Sequence, residues 1–148
     1  MSLSDVKMAG PDSWIDRSML VFSAPPHSTS SGIAPNIVVV TEKLQQPALS
    51  DPAGFIANYG RSHLATLEKS FVDFSQHGEF ERVVATRSAF EVRVSWDNQG
   101  IRIAQLVVFI LKNKSEVVIF TASAAADEYY QHAQHFEHAI ASLRFTNA

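Results

Sequence analysis

Cysteine is absent from the 148 residues. That removes disulfide scaffolds, thiol catalysis and cysteine-type zinc sites together. Charge is sparse, at 18 % Asp, Glu, Lys and Arg with a formal net charge of −3. No long basic block occurs, so nothing supports an electrostatic case for nucleic acid. Long hydrophobic runs are lacking too. The longest, Leu106 to Leu111, is far too short to span a bilayer, and the chain is not expected to insert into one. The opening MSLSDVKMAGPDSW carries Asp5, Lys7 and Asp12 without an apolar segment, so it does not read as a signal peptide. GxSxG, P-loop and GxGxxG patterns are missing as well. The residues propose no reaction, no catalytic group and no cofactor.

What is present is an apolar content of 46 % in a chain of one domain's length, residues 1–148. All six prolines lie within the first 52 residues. A loop-rich entry is therefore followed by regular elements. The tract from Pro25 to Pro35 reads as an exposed loop between two short strands, Met19–Ser23 and Asn36–Thr41. A helix is expected from Asp51, with Pro52 at its first position and Phe55, Tyr59, His63 and Leu67 recurring along one face. Gly54 and Gly60 weaken it intrinsically, so packing must hold it.

From about Phe71 the period changes to two. With Asp97–Gly100 as a turn, Trp96 is expected opposite Ile101, Val94 opposite Ile103 and Val92 opposite Gln105. A second turn at Lys112–Ser115 sets Phe109 opposite Val118 and Val107 opposite Phe120. A closing helix is expected from an Asp127 N-cap to about Leu143, with Tyr129, Ala133, Phe136, Ile140 and Leu143 on one stripe. The class is α+β: an antiparallel β-sheet with packed helices.

On this register one sheet face carries Phe90, Val92, Val94, Trp96, Ile101, Ile103, Val107, Phe109, Val118 and Phe120. The other is apolar in its middle through Leu106, Val108, Ile110, Val117 and Ile119. Both faces need cover, and any remainder that two helices leave open would meet a partner. From Ser18 to Thr41 there is no Asp, Glu, Lys or Arg, although edge strands ordinarily carry charge to discourage association. Gln105 interrupts the apolar row. A buried amide must find partners, so it either bonds a neighbour or bonds a guest in a groove.

Other candidates carry less. His132, His135 and His138 are spaced three apart on the closing helix and fan over about 120°, so one metal could take two of them but not three. His63 lies on an apolar face with no identifiable partner for base catalysis. Glu79 and Glu81 alternate on a strand and read as a solvated face. Trp96 reads as a core anchor, and Trp14 as an anchor or an interface residue.

The ordered set of elements resembles a known family. Pro11-Asp12-Ser13-Trp14-Ile15-Asp16-Arg17-Ser18 resembles the P-x-x-W-x-D-x-S/T opening of DcrB-like and Eag-type proteins. Asn36–Glu42 is similar to their second strand. Phe90–Trp96, Gln105–Leu111 and Val117–Ala122 are similar to their closing meander, and Tyr129–Phe145 to their final helix with its LxSLRF-like end. The resemblance implies a Mog1/PsbP-like fold in a single DcrB/Eag-like domain. The absence of a signal peptide and a lipobox cysteine favours the Eag branch. That branch implies a cytoplasmic, homodimeric chaperone or adaptor of type VI secretion, which binds the N-terminal transmembrane helices of an effector and aids its loading on the secretion spike. Carried over by position, its partner-binding groove is Leu20, Phe22, Val38, Val40 and Gln105. The alternative is a Mog1-like regulator of a folded partner such as a small GTPase.

Overall fold

The alternating segments after Phe71 and the two short apolar runs before Asp51 form strands, which the computed structural model, describing residues 8–25, 30–48 and 50–146, orders as one sheet. The elements are β1 (Met19–Ser23), β2 (Asn36–Lys43), α1 (Pro52–Ser70), β3 (Val72–Val84), β4 (Arg87–Asn98), β5 (Ile101–Asn113), β6 (Glu116–Ala125) and α2 (Tyr129–Ser142). The sheet order is β1-β2-β6-β5-β4-β3, antiparallel throughout. This is the expected α+β class. Residues 26–29 of the Pro25–Pro35 loop, and Asp5 and Lys7, lie outside the described residues.

The first helix begins as its sequence indicates. The Asp51 carboxylate accepts from the Gly54 N–H at 3.1 Å, and Pro52 occupies a position where its missing N–H costs nothing. Gly60 has a second purpose. A Cβ there would lie 2.6 Å from a Phe90 ring carbon and 2.9 Å from one of Phe109. The bare backbone thus lets α1 settle close against β4 and β5.

Two registers differ from expectation, with different consequences. The β4–β5 turn is only two residues, Gln99 and Gly100, with φ of 51° and 88°. That geometry suits the sheet twist. Trp96 therefore pairs with Ile103, Val94 with Gln105 and Val92 with Val107. The shift is two residues, so each side chain keeps its face. At the β5–β6 hairpin the shift is one. Asn113 pairs with Glu116 while Leu111 pairs with Val117, which leaves Lys112 as an extra residue in β5. Asn113 stabilises the tight turn: its Oδ1 accepts from the Ser115 N–H at 2.9 Å, and its Nδ2 donates to Glu116 at 3.0 Å. Phe109 consequently faces Ile119, not Val118, and β6 presents the opposite set of side chains to each face.

The core lies in two layers divided by the sheet. Beneath α1, Phe90, Val92, Val94, Val107, Phe109, Val117 and Ile119 pack with Ile56 and Leu64. Beneath α2, Leu106, Val108, Ile110, Val118, Phe120 and Ala122 pack with Phe136 and Ile140. Phe71 stacks on Trp96 with ring centroids 4.3 Å apart; Trp96 is half-buried and lies outside both buried clusters, so it is not the core anchor expected. Trp14, before β1, is exposed. The closing helix starts later than expected. Asp127 sits in a turn closed by the Glu128 N–H donating to the Ala125 carbonyl at 2.9 Å, and Glu128 takes the N-cap position. No helix among the described residues is long and apolar enough to cross a membrane.

Candidate functional site

The helices do not cover the whole sheet. α1 lies over β3, β4 and β5, and α2 over β6. All five residues of β1 are exposed, and Met19, Leu20, Val21 and Phe22 are each between 43 % and 55 % accessible. The β1–β2 end is therefore an apolar ledge open on both faces, and one edge of β1 is unpaired among the described residues. Neither early strand carries a charge before Glu42.

The five sequence-derived groove residues divide between the faces. Val38, Val40 and Gln105 share the α1 face with Val107 and Phe109, whereas Leu20 and Phe22 share the α2 face with Ile37 and Val39. The reason is register: Val21 pairs with Val38, so Leu20 and Phe22 point to the opposite side from Val38 and Val40. On the α1 face the β1 contribution comes instead from Met19, Val21 and Ser23.

That face has a patterned floor. Ser23, Asn36, Ser123 and Gln105 lie directly across four adjacent strands as one uncharged polar row. The next row is Val21, Val38, Thr121 and Val107, and the third is Met19, Val40, Ile119 and Phe109. Gln105 Nε2 donates to Ser123 Oγ at 3.0 Å, which satisfies half of the amide internally. No described donor meets its carbonyl oxygen. Asn36 Nδ2 donates to the Ala34 carbonyl at 3.3 Å. Asn36, Thr121 and Ser123 were missed at the sequence level because the one-residue bulge at Lys112 puts Thr121 and Ser123 on this face. Their alternation inside an otherwise apolar strand was the available signal.

One wall of the groove comes from α1. Tyr59 and His63 lie one turn apart, and their rings approach Phe109 edge-on at 6.1 and 5.3 Å. The Tyr59 hydroxyl donates to the Glu42 carboxylate at the groove end. Burial, and then that bond, push the tyrosine hydroxyl well above its ordinary range. Val40 already packs against the α1 core, and the floor opens toward Val38 and Val21.

On the α2 face, Glu128 anchors the incoming loop. Its carboxylate accepts from the Ser31 N–H at 2.8 Å and from the Ser30 and Ser31 hydroxyls at 3.0 and 3.1 Å. Desolvation works to raise this carboxyl, but the Ser31 and Ser30 hydrogen bonds together outweigh it and hold it below its usual value.

His132 and His135 rings are 6.4 Å apart, and no group of three His, Cys, Asp or Glu side chains able to hold a metal occurs among the described residues. Glu79 is bonded by Arg61 at 3.0 Å and Gln76 at 2.8 Å. The three rows of the groove floor carry no charge and combine apolar side chains with a line of amide and hydroxyl groups. Chemically, the floor can cover an apolar surface and hydrogen-bond isolated polar groups on it.

The family model of DcrB matches residues 7–142. No curated protein matches the chain. Among solved structures, PA94 of Pseudomonas aeruginosa, described as a protein of unknown function and a candidate regulator, superimposes with a TM-score of 0.76. It is 20 % identical, and the match covers 100 % of this chain and 96 % of that one. LpqN of Mycobacterium tuberculosis, described as involved in cell envelope biogenesis, gives a TM-score of 0.54 at 19 % identity over 86 % of this chain and 83 % of its own. The PsbP of Synechocystis sp. PCC 6803 gives 0.48 at 11 % identity over 94 % and 97 %. At 20 % and 19 % identity, the likeness to PA94 and LpqN is one of fold.

Proposed function

The chain belongs to the DcrB family, and from that premise we propose that it is a cytoplasmic chaperone or adaptor whose α1-face groove holds apolar helices of a client, such as the N-terminal transmembrane segments of a type VI secretion effector. The observation that carries this reading is the neutral floor: exposed Val21 and half-buried Val38 beside the row Ser23–Asn36–Ser123–Gln105. A membrane helix exposes about 20 apolar residues that a soluble carrier must cover. Such helices also bring small and polar packing residues that need hydrogen-bond partners away from water. Val21, Val38, Thr121 and Gln105 supply both.

The unpaired β1 edge supports a homodimer. Two copies pairing antiparallel about Val21 would satisfy the open backbone groups and join the sheets edge to edge. The lack of charge from Met19 to Ser23 permits this.

A second reading, a Mog1-like regulator of a folded partner such as a small GTPase, draws on the description of PA94. One experiment separates the two. The chain is co-expressed with a soluble reporter bearing an N-terminal apolar helix of about 20 residues, and the complex is isolated at low and high salt. The chaperone reading expects a soluble complex indifferent to salt and lost in Val38→Asp. A reporter that stays insoluble overturns it. A partner recovered only at low salt favours the regulator.

A further inference from the structure

The basic side chains are not evenly paired. Arg61, Arg82, Arg93 and Arg102 each meet a carboxylate, at 2.6 to 3.5 Å. Arg87 in β4 and Arg144 just beyond α2 meet none among the described residues, and neither does the exposed Arg17 before β1. Both line one recess of about 460 Å³ with Ala85, Thr86 and Phe145, between the β3–β4 turn and the end of α2. An adjoining recess of about 380 Å³ shares Thr86 and Arg87 and adds Lys112 and Lys114. Neither is lined by an Asp or Glu. Four cations thus converge in a chain whose net charge is −3.

The guanidiniums are already positioned. Arg87 Nε donates to the Lys112 carbonyl at 2.9 Å, and its Cζ lies 5.5 Å from the centre of the Phe145 ring. Arg144 Nη1 donates to the carbonyls of Ala141 and Leu143 at 2.8 and 2.7 Å. Arg87 Nη1 also donates to the Thr86 hydroxyl at 3.0 Å and to the Ala85 carbonyl at 3.5 Å. Nη2 of Arg87, and Nε and Nη2 of Arg144, are left without an acceptor among the described residues. The turn beneath them is a two-residue link of Ala85 and Thr86 at φ 49° and 66°, a conformation that a β-branched residue disfavours. Lys112 has a carboxylate neighbour, Glu116, only at 3.9 Å.

We propose that the Arg87–Arg144 recess and its neighbour form a docking site for an acidic peptide segment of a protein partner. One carboxylate bridges Nη2 of Arg87 and the Nε–Nη2 side of Arg144, and further carboxylates reach Lys112 and Lys114. Arg suits this because its planar fork matches a carboxylate, and preorganised donors lose little freedom on binding. A peptide fits better than a single compact anion, because the cations are spread over two hairpin turns and a helix end in two open, connected recesses. An extended chain spaces its side chains in the same way. The site lies outside the groove, and the inference stands apart from the chaperone reading.

The test is fluorescence anisotropy of a labelled hexaglutamate peptide with the full chain at low salt. Saturable binding is expected, weakened about tenfold in Arg87→Gln/Arg144→Gln and little changed in Arg17→Gln, which removes an exposed cation before β1. Circular dichroism checks that the double variant folds. Should it not, Lys114→Gln, on an exposed turn, is expected to weaken binding a few-fold by itself. The proposal is overturned by absent or unsaturable binding, by equal loss in Arg17→Gln, or by inorganic phosphate displacing the peptide more effectively than free glutamate.

Discussion

Gln105 and Ser123 face each other across β5 and β6, joined by one hydrogen bond of 3.0 Å, in a polar row beside a largely apolar floor. Ser123 is buried and Gln105 half-buried, so the bond satisfies a hydroxyl that water reaches poorly. Ser123→Ala is expected to cost about 0.5–1.5 kcal/mol in urea unfolding of the free protein. Gln105→Leu is expected to leave stability near or above wild type while weakening capture of a helix that carries a polar residue. An equal effect on a purely apolar helix would remove the amide from recognition.

Gly60 allows α1 to lie against Phe90 and Phe109. Gly60→Ala gains about 1 kcal/mol of helix propensity. It also forces a methyl into space that two aromatic rings occupy, which costs about 1–3 kcal/mol. The net expectation is a destabilised protein with a thermal midpoint lower by several degrees. A raised midpoint would show that the rings move aside.

Acid should weaken the fold through carboxyls held below their ordinary values. The hydrogen bond from Arg102, first, depresses Asp97 below 3.8, and that from Arg61, first, depresses Glu79 below 4.5. A depressed folded-state value means that the unfolded chain binds the proton first. Their contribution is therefore complete above those ordinary values and is lost as pH falls through the folded-state ones. Urea midpoints measured from neutral pH down to about pH 3 should fall most steeply below about pH 4.5. Arg102→Gln should flatten part of that slope, and an unchanged profile would exclude Asp97 as a contributor.

The β1 edge gives a prediction about assembly. Val21→Lys places a charge at the centre of the exposed strand, a recognised means of blocking edge pairing. Light scattering coupled to size exclusion is expected to show a dimer for the natural chain and a monomer for the variant, with circular dichroism unchanged. A natural chain that is monomeric at all concentrations would count against edge pairing.

Much of this architecture is legible in the sequence, and the reason is periodicity. The Asp51–Pro52 start, the alternation after Phe71 and the stripe Tyr129–Phe136–Ile140 each express a local rule, and each produces its element. The β4–β5 register differs by two because DNQG contains a tight turn at its last two positions, and parity survived that difference. Parity failed at Lys112, since a bulge is a tertiary accommodation that the surrounding KNKS does not announce. The groove suffered in the same way. Val38, Val40 and Gln105 share a face, but Leu20 and Phe22 do not, because strand pairing through a long loop fixes the face of β1 and no local pattern records it. The later start of α2 follows from Glu128, whose carboxylate is engaged by a loop some hundred positions earlier in the chain.

The extra residue at Lys112 has an evolutionary and engineering meaning. Everything beyond it in the sheet, β6 with β2 and then β1 paired outward from it, takes its inside and outside from the parity set at that single position. Deleting one residue in the hairpin would turn over the sides of three strands together, carrying Thr121 and Ser123 under α2 and Phe120 out beneath α1. No single substitution in the groove could do as much. The surface that this protein offers to the outside is thus indexed by a count of residues as much as by their chemistry.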